Sequence, residues 1–78
     1  MKVREFQYLY IERVAGKSLK EGALYAKKFR TYEEAKAIFD HIIHDVVKDE
    51  GEFVKSTPDV PDCFISTDGI QFEITTNL

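Results

Sequence analysis

Cysteine, proline and long apolar runs are scarce in this chain, and each scarcity excludes a class of protein. Cys63 is the sole cysteine, so no internal disulfide can form, whereas small secreted domains normally need several. No apolar run exceeds four residues, which excludes a membrane-spanning helix, and the charged N-terminal residues do not resemble a signal peptide. We therefore expect a cytoplasmic protein that does not enter the membrane.

Catalytic and cofactor motifs are lacking as well. The four glycines all fall at predicted turns, so none belongs to a phosphate-binding loop. No serine or cysteine has a neighbouring histidine in a known nucleophile motif, and Cys63 is expected to face the core, where a thiolate is disfavoured. We therefore expect neither enzymatic activity nor a bound cofactor.

The composition that remains is that of one small folded domain. The 78 residues are 44% hydrophobic and carry a net charge of -3, which favours a globular chain and a single domain over residues 1–78. Charge is uneven along the chain, with a net +5 in residues 1–30 and a net -8 in residues 31–78. A core this small contributes little stability, so self-association into a homodimer is one expectation.

One amphipathic helix is predicted in the middle of the chain. Thr31 and Glu34 fit a capping box, so the helix should begin at Tyr32. Apolar residues then recur at helical spacing and form one stripe, which must be buried. The stripe consists of Ala35, Ile38, Phe39, Ile42, Ile43, Val46 and Val47. The helix should end near Asp49 or Glu50, with Gly51 in the left-handed conformation.

Two hairpins flank this helix. Runs rich in aromatic and β-branched residues cover Val3–Val14 and Ala23–Arg30 before it, and Cys63–Thr67 and Ile70–Thr75 after it. The order predicts a two-layer α+β fold, β-β-α-β-β, in which the helix packs on one face of an antiparallel sheet of about four strands. A short additional strand is a further candidate at residues 53–55.

The second hairpin predicts which side chains meet the helix. Asp68-Gly69 suits a two-residue turn, which would pair Ile65 with Phe72 and Cys63 with Ile74 on the buried side. Phe64 would then point away from the helix. The first strand is apolar on both sides, and we expect Leu9 and Ile11 to lie on the face opposite to its tyrosines.

The aromatic side chains left on that second face form the first candidate site. Tyrosines provide large contact areas with little rotamer entropy to lose, which suits a protein interface or a dimer contact. The alternative is that these tyrosines are ordinary strand residues with solvated hydroxyls. The candidate interface residues are Tyr8, Tyr10, Tyr25 and Phe64.

Carboxylates form a second candidate site around the helix end and the loops after it. Such an array can bind a basic partner or imitate phosphates, although the sequence favours ordinary solubilising charge as its explanation. The acidic surface consists of Asp45, Asp49, Glu50, Glu52, Asp59, Asp62 and Asp68.

Nucleic-acid binding is the competing functional interpretation. Basic residues near the N-terminal hairpin could bind phosphates while tyrosines stack on bases, but the pI of about 5.3 and the missing RNP-like pattern argue for a solvated hairpin. The residues concerned are Lys17, Lys20, Lys27, Lys28 and Arg30.

A metal site is the weakest candidate. His41 and His44 have Asp40 and Asp45 at helical spacing, yet all four lie off the apolar stripe and have no further ligand in sequence reach. We therefore expect solvated side chains and no bound metal.

The sequence thus favours a small non-enzymatic protein-interaction module. Its partner would be a protein or a second copy, bound through the aromatic face or the acidic surface, and nucleic acid is not the expected partner. Compact, acidic, cysteine-poor chains of this type are common among the inhibitors and adaptors that phages and other mobile elements encode.

Overall fold

The computed structural model of the chain describes residues 7–54 and 62–76. Among them, five strands and one main helix form two layers. The elements are β1 (Tyr8–Val14), α1 (Leu19–Gly22), β2 (Ala23–Phe29), α2 (Tyr32–His41), a π-helical segment (Ile42–Val46), β3 (Gly51–Val54), β4 (Asp62–Ser66) and β5 (Ile70–Thr75).

The sheet is antiparallel, with the strand order β2-β1-β5-β4-β3. The predicted α+β class is confirmed, but the sheet has five strands where about four were expected. The extra strand is β3, which contains Phe53 and Val54 from the candidate segment, while Lys55 lies outside the described residues. Because β1 pairs with both β2 and β5, the two hairpins join into one sheet.

The start of the main helix is as predicted. Thr31 has an extended backbone, and its hydroxyl accepts a hydrogen bond from the Glu34 amide, while the Glu34 carboxylate accepts one from the Thr31 amide. These bonds satisfy amide donors that have no partner inside the helix. The helix therefore begins at Tyr32.

The end of the helix differs from the prediction. Regular α-helix stops at His41, and the chain continues as a π-helical segment in which the Val47 amide donates to the Ile42 carbonyl. The wider turn accommodates one additional residue, so Val46 is 61% exposed and Val47 packs against the core in its place. The predicted burial of Val46 is therefore wrong.

The residues that close this helix in the left-handed conformation also differ from the prediction, which named Gly51. Lys48 and Asp49 have φ angles of 58° and 59°, whereas Gly51 opens β3. Gly51 is needed there because a Cβ atom would collide with the carbonyl oxygen of Ile65 and approach the Phe64 ring to 2.7 Å. Close approach between β3 and β4 thus explains the glycine.

The register of the β4–β5 hairpin corrects the predicted one. The connection has three residues, with Gly69 at φ 86° donating its amide hydrogen to the Ser66 carbonyl, so Phe64 pairs with Phe72 and Cys63 pairs with Glu73. Because side chains alternate along a strand, this shift by one residue moves Phe64 to the helix side and Cys63 and Ile65 to the other. Cys63 is buried, but not under the helix.

The faces of β1 are also opposite to the expectation. Tyr10 pairs with Ile74 and Lys27, and Tyr8 pairs with Phe29, which directs both tyrosines toward the helix. Leu9 and Ile11 lie on the other face. The prediction that they lie opposite to the tyrosines is therefore confirmed. The core cluster consists of Tyr10, Ala35, Phe39, Ile43, Phe64, Phe72 and Ile74.

Candidate functional site

The predicted aromatic interface divides into buried and exposed residues. Tyr10 and Phe64 are 0% and 1% exposed and lie in the core under the helix, so the prediction that they form an open face is wrong. Tyr8 is half-buried against Tyr32 at a ring-centroid distance of 5.8 Å, whereas Tyr25 is 47% exposed. The tyrosines do share one face of the sheet, but the helix covers Tyr10 and part of Tyr8 there and leaves Tyr25 exposed.

The predicted acidic surface is retained in part. Asp45, Asp49, Glu50 and Glu52 are exposed and lie between the π-helical segment and β3. Asp62 is half-buried and accepts a hydrogen bond from the Tyr32 hydroxyl, away from the helix end. Burial and that hydrogen bond raise the pKa of Tyr32 to about 12. Asp59 lies outside the described residues.

A cleft of about 450 Å³ opens beside the end of the helix. Its apolar lining comes from the π-helical segment with Val47 and from β5, and its polar lining comes from β1, the residue before β3 and the β4–β5 turn. The described lining residues are Glu12, Ile42, Val46, Val47, Glu50, Ser66, Thr67, Asp68, Ile70 and Phe72. They include three carboxylates and no lysine, arginine or histidine. We call this feature the acidic cleft.

Glu12 is held in the acidic cleft by a residue of the core. It pairs with Phe72 across the sheet, and its carboxylate accepts a hydrogen bond of 2.6 Å from the Tyr10 hydroxyl. Burial, followed by this hydrogen bond, raises the pKa of Tyr10 well above its ordinary value. Because Tyr10 is buried and stays protonated, its hydroxyl is a fixed donor that orients the carboxylate.

The rest of the rim is joined by hydrogen bonds. The Glu50 carbonyl accepts a bond of 3.0 Å from the Thr67 amide, which ties the helix-end loop to the β4–β5 turn. The Ser66 hydroxyl donates to the Asp68 carboxylate and accepts a bond from the Ile70 amide. These bonds hold the Glu50 backbone directly beside the turn that contains Asp68. The shape of the rim is therefore fixed by hydrogen bonds of the backbone as well as by side chains.

The other face of the sheet contains an ion pair between a half-buried guanidinium and a buried carboxylate. Arg13 Nε lies 2.7 Å from Glu73 Oε1, and Glu73 is 3% exposed between the cross-strand neighbours Ile11 and Cys63. Burial raises the pKa of Glu73, and the guanidinium of Arg13 opposes that rise. Burial and the charge of Glu73 also raise the pKa of the Cys63 thiol. The cysteine is thus held in its unreactive form.

The histidines of the helix form separate pairs. His41 Nδ1 lies 2.8 Å from Asp45, and His44 Nδ1 lies 2.5 Å from Asp49, while Asp40 pairs with Lys36. The pairing of Asp40 therefore differs from the one that helical spacing suggested. Within the described parts of the chain, no three residues of metal-ligating type come together.

The basic residues of the nucleic-acid interpretation lie on the edge strand β2, in the connection before it and directly after its end. Lys27 and Lys28 are exposed on β2, an edge strand, and they alternate between its two faces. Lys17, Lys20 and Arg30 are exposed as well. The ring of Tyr25 is exposed beside them, whereas Tyr10 is covered by the helix.

Sequence reasoning missed Glu12, Arg13 and Glu73. Each is a charged residue inside a strand of mostly apolar residues, and that position is the available signal, because a strand interior flanked by two neighbours leaves little access to water. The acidic cleft itself was missed because its walls come from segments far apart in sequence.

Among the residues that the structure describes, no helix is long and apolar enough to cross a membrane. No family model, curated protein or solved structure matches the chain.

Proposed function

We propose that this chain is a small non-enzymatic protein-interaction module that binds a protein partner through its acidic end. This end comprises the acidic cleft, the carboxylates of Asp45 and Asp49 on the helix end, and Glu52 on the other face of β3. The observation that carries the proposal is the lining of the cleft, whose described residues include apolar side chains and three carboxylates but no lysine, arginine or histidine. Such a surface complements a basic partner with apolar side chains.

Exposed apolar side chains at this end support the proposal. Val46 and Phe53 are 61% and 60% exposed, and Val54 is 41% exposed. Val54 also lines a second cleft with Glu52 and Ile65 on the other side of the β4–β5 turn. Large apolar groups among carboxylates are typical of protein-binding surfaces, because the apolar contacts provide affinity and the charges provide orientation.

The aromatic version of the interface has less support, since Tyr10 and Phe64 belong to the core. A homodimer remains a version of the proposal, with Tyr25 on the edge strand β2 as the exposed aromatic contact. The buried thiol of Cys63, with its raised pKa, supports a binding role rather than a catalytic one in a reducing compartment such as the cytoplasm. An inhibitor or adaptor of a mobile element fits this description.

The test compares two charge-reversal variants in affinity capture from the source cell. The first carries Glu50→Lys and Asp68→Lys at the acidic end, and the matched control carries Lys27→Glu and Lys28→Glu on β2. We expect a protein partner to be lost by the first variant and retained by the control. Equal retention by both variants would contradict the proposal. Light scattering of the unmodified chain over a dilution series identifies a homodimer.

Nucleic-acid binding is a second candidate, favoured by one observation. The basic side chains of β2 and the connection before it are exposed, and so is the ring of Tyr25 on β2. A phosphate contact makes affinity fall steeply with salt and is lost on Lys27→Glu with Lys28→Glu. An affinity for single-stranded nucleic acid that neither salt nor this double substitution changes would rule it out.

A further inference from the structure

We infer that the acidic cleft is a receptor for one lysine or arginine side chain of a basic polypeptide segment, with Glu12 as the carboxylate that receives the cationic group. This inference rests on the proposed function and specifies the chemistry of the partner. It combines three observations: the shape and lining of the cleft, the fixed position of Glu12, and the charge of the surface around the opening.

The shape and lining of the cleft suit a long side chain with an apolar stem. Its volume of about 450 Å³ lies within the roughly 300 to 1,000 Å³ of typical ligand sites. Ile42, Val46 and Phe72 provide apolar contacts for methylene groups. Lysine and arginine bury their stems against such surfaces while directing the charged group to polar atoms.

The position of Glu12 suits a cationic group at the inner end of that side chain. Its carboxylate is oriented by the Tyr10 hydroxyl at 2.6 Å, so one oxygen is engaged and the other can accept a hydrogen bond from a ligand. A carboxylate beside apolar walls attracts a cation more strongly than one in open water, because the local dielectric is lower. An ammonium or guanidinium group is the natural ligand for this arrangement.

The surface around the opening determines the source of the cation. Glu50 and Asp68 line the opening, and Val46 is exposed at its edge. Asp45 and Asp49 are exposed on the helix end, where they pair with His41 and His44. A polypeptide can contact this rim with further basic and apolar residues, whereas a small amine reaches only the cleft. Nucleic acid is disfavoured because its phosphates would face carboxylates. We therefore assign the ligand to a basic segment of a protein.

The test uses two synthetic peptides that differ in one charged group. The first has a central lysine flanked by leucines, and the second has norleucine in place of that lysine, which keeps the apolar stem and removes the ammonium group. Binding to the unmodified chain is measured by calorimetry, and amide chemical shifts locate the contact. We expect the lysine peptide to shift residues of the acidic cleft and to bind at least about tenfold more tightly than the norleucine peptide.

Variants of the chain assign the contact to Glu12. Glu12→Gln keeps the shape of the side chain and should weaken binding of the lysine peptide by about tenfold or more. Asp68→Asn at the rim should weaken it less and provides a second variant if Glu12→Gln does not fold. Lys27→Glu with Lys28→Glu on the edge strand β2 is the matched control, because neither lysine lines the cleft, and it should retain binding. Thermal unfolding verifies that each variant is folded.

Each outcome decides the inference. Equal binding of both peptides, or unchanged binding by folded Glu12→Gln and Asp68→Asn, overturns it, and so does the absence of binding to any basic peptide. Equal affinity for cadaverine and for the lysine peptide overturns the assignment to a polypeptide. Self-association blocked by Glu12→Gln would identify a second copy as the occupant instead. Failure of the proposed function is seen separately, as protein capture that charge reversal of Glu50 and Asp68 leaves unchanged.

Discussion

The two faces of the sheet are buried by different kinds of side chains. The helix side buries Tyr10, Phe64, Phe72 and Ile74, and its polar contacts include the hydrogen bond from Tyr10 to Glu12. The other side buries Ile11 and Cys63 together with the charged Glu73, which depends on Arg13. The first face gains stability by removing apolar area from water, whereas the second must compensate a buried charge. The comparison teaches that burial alone does not indicate how a residue contributes to stability.

The largest expected effect tests which residues of β4 belong to each face. Phe64→Ala should lower the free energy of unfolding by about 3 to 5 kcal/mol, because it opens a cavity under the helix. Ile65→Ala is the matched control on the other face, where Ile65 is only half-buried, and should cost clearly less. Denaturant unfolding measures both. If Ile65→Ala cost more than Phe64→Ala, Ile65 would be the residue that faces the helix, as the predicted two-residue turn requires.

A somewhat smaller effect tests the ion pair of the second face. Arg13→Met should cost about 3 kcal/mol, because it leaves the buried carboxylate of Glu73 without its partner. Adding Glu73→Leu should recover most of that loss, since an apolar pair has no desolvation penalty. A double variant as unstable as Arg13→Met alone would show that packing, rather than charge, determines this face.

Tyr10→Phe has a smaller expected effect on the helix side. It keeps the ring in the core and removes the hydroxyl that donates to Glu12, so we expect a loss of about 1 kcal/mol. The free energy of unfolding, compared with that of Tyr25→Phe on the exposed edge, provides the measurement. An equal effect of the two substitutions would show that the buried hydrogen bond does not matter.

The pH dependence of stability is the subtlest difference between the faces. The pKa of Glu73 is raised above its ordinary 4.5, so the folded state binds its proton more tightly than the unfolded state. Its contribution to stability therefore falls as pH rises from 4.5 through the folded pKa. Glu73→Gln should remove this part of the slope. An identical slope in both proteins would contradict the raised pKa.

The parts of this fold that depend on neighbouring residues could be predicted from the sequence. The capping box locates Tyr32 as the first helical residue, because its hydrogen bonds join residues only three apart. The π-helical segment could not be predicted, because the apolar spacing continues through Val46 and only packing determines which valine turns inward. The Asp68-Gly69 pair is compatible with two loop lengths, so the register of β4 depends on contacts that the pair does not contain.

The candidate site was predictable to a similar degree. The exposed carboxylates of Asp45, Asp49 and Glu50 follow from their density in the sequence. The acidic cleft could not be predicted in this way, because Glu12 reaches the helix end only through the pairing of β1 with β5. Such pairing between distant segments is a property of the whole sheet.

The position of β5 in the sheet also has a consequence for synthesis of the chain. β5 is the last described strand along the chain, yet it lies in the middle of the sheet between β1 and β4. During translation, β1 and β2 can pair early, but the sheet cannot join its two halves until Thr75 has left the ribosome. Loop closure over this distance slows folding. Until β5 arrives, the nascent chain therefore exposes the part of the apolar helix side that packs against Phe72 and Ile74, and chaperones can bind it during that interval.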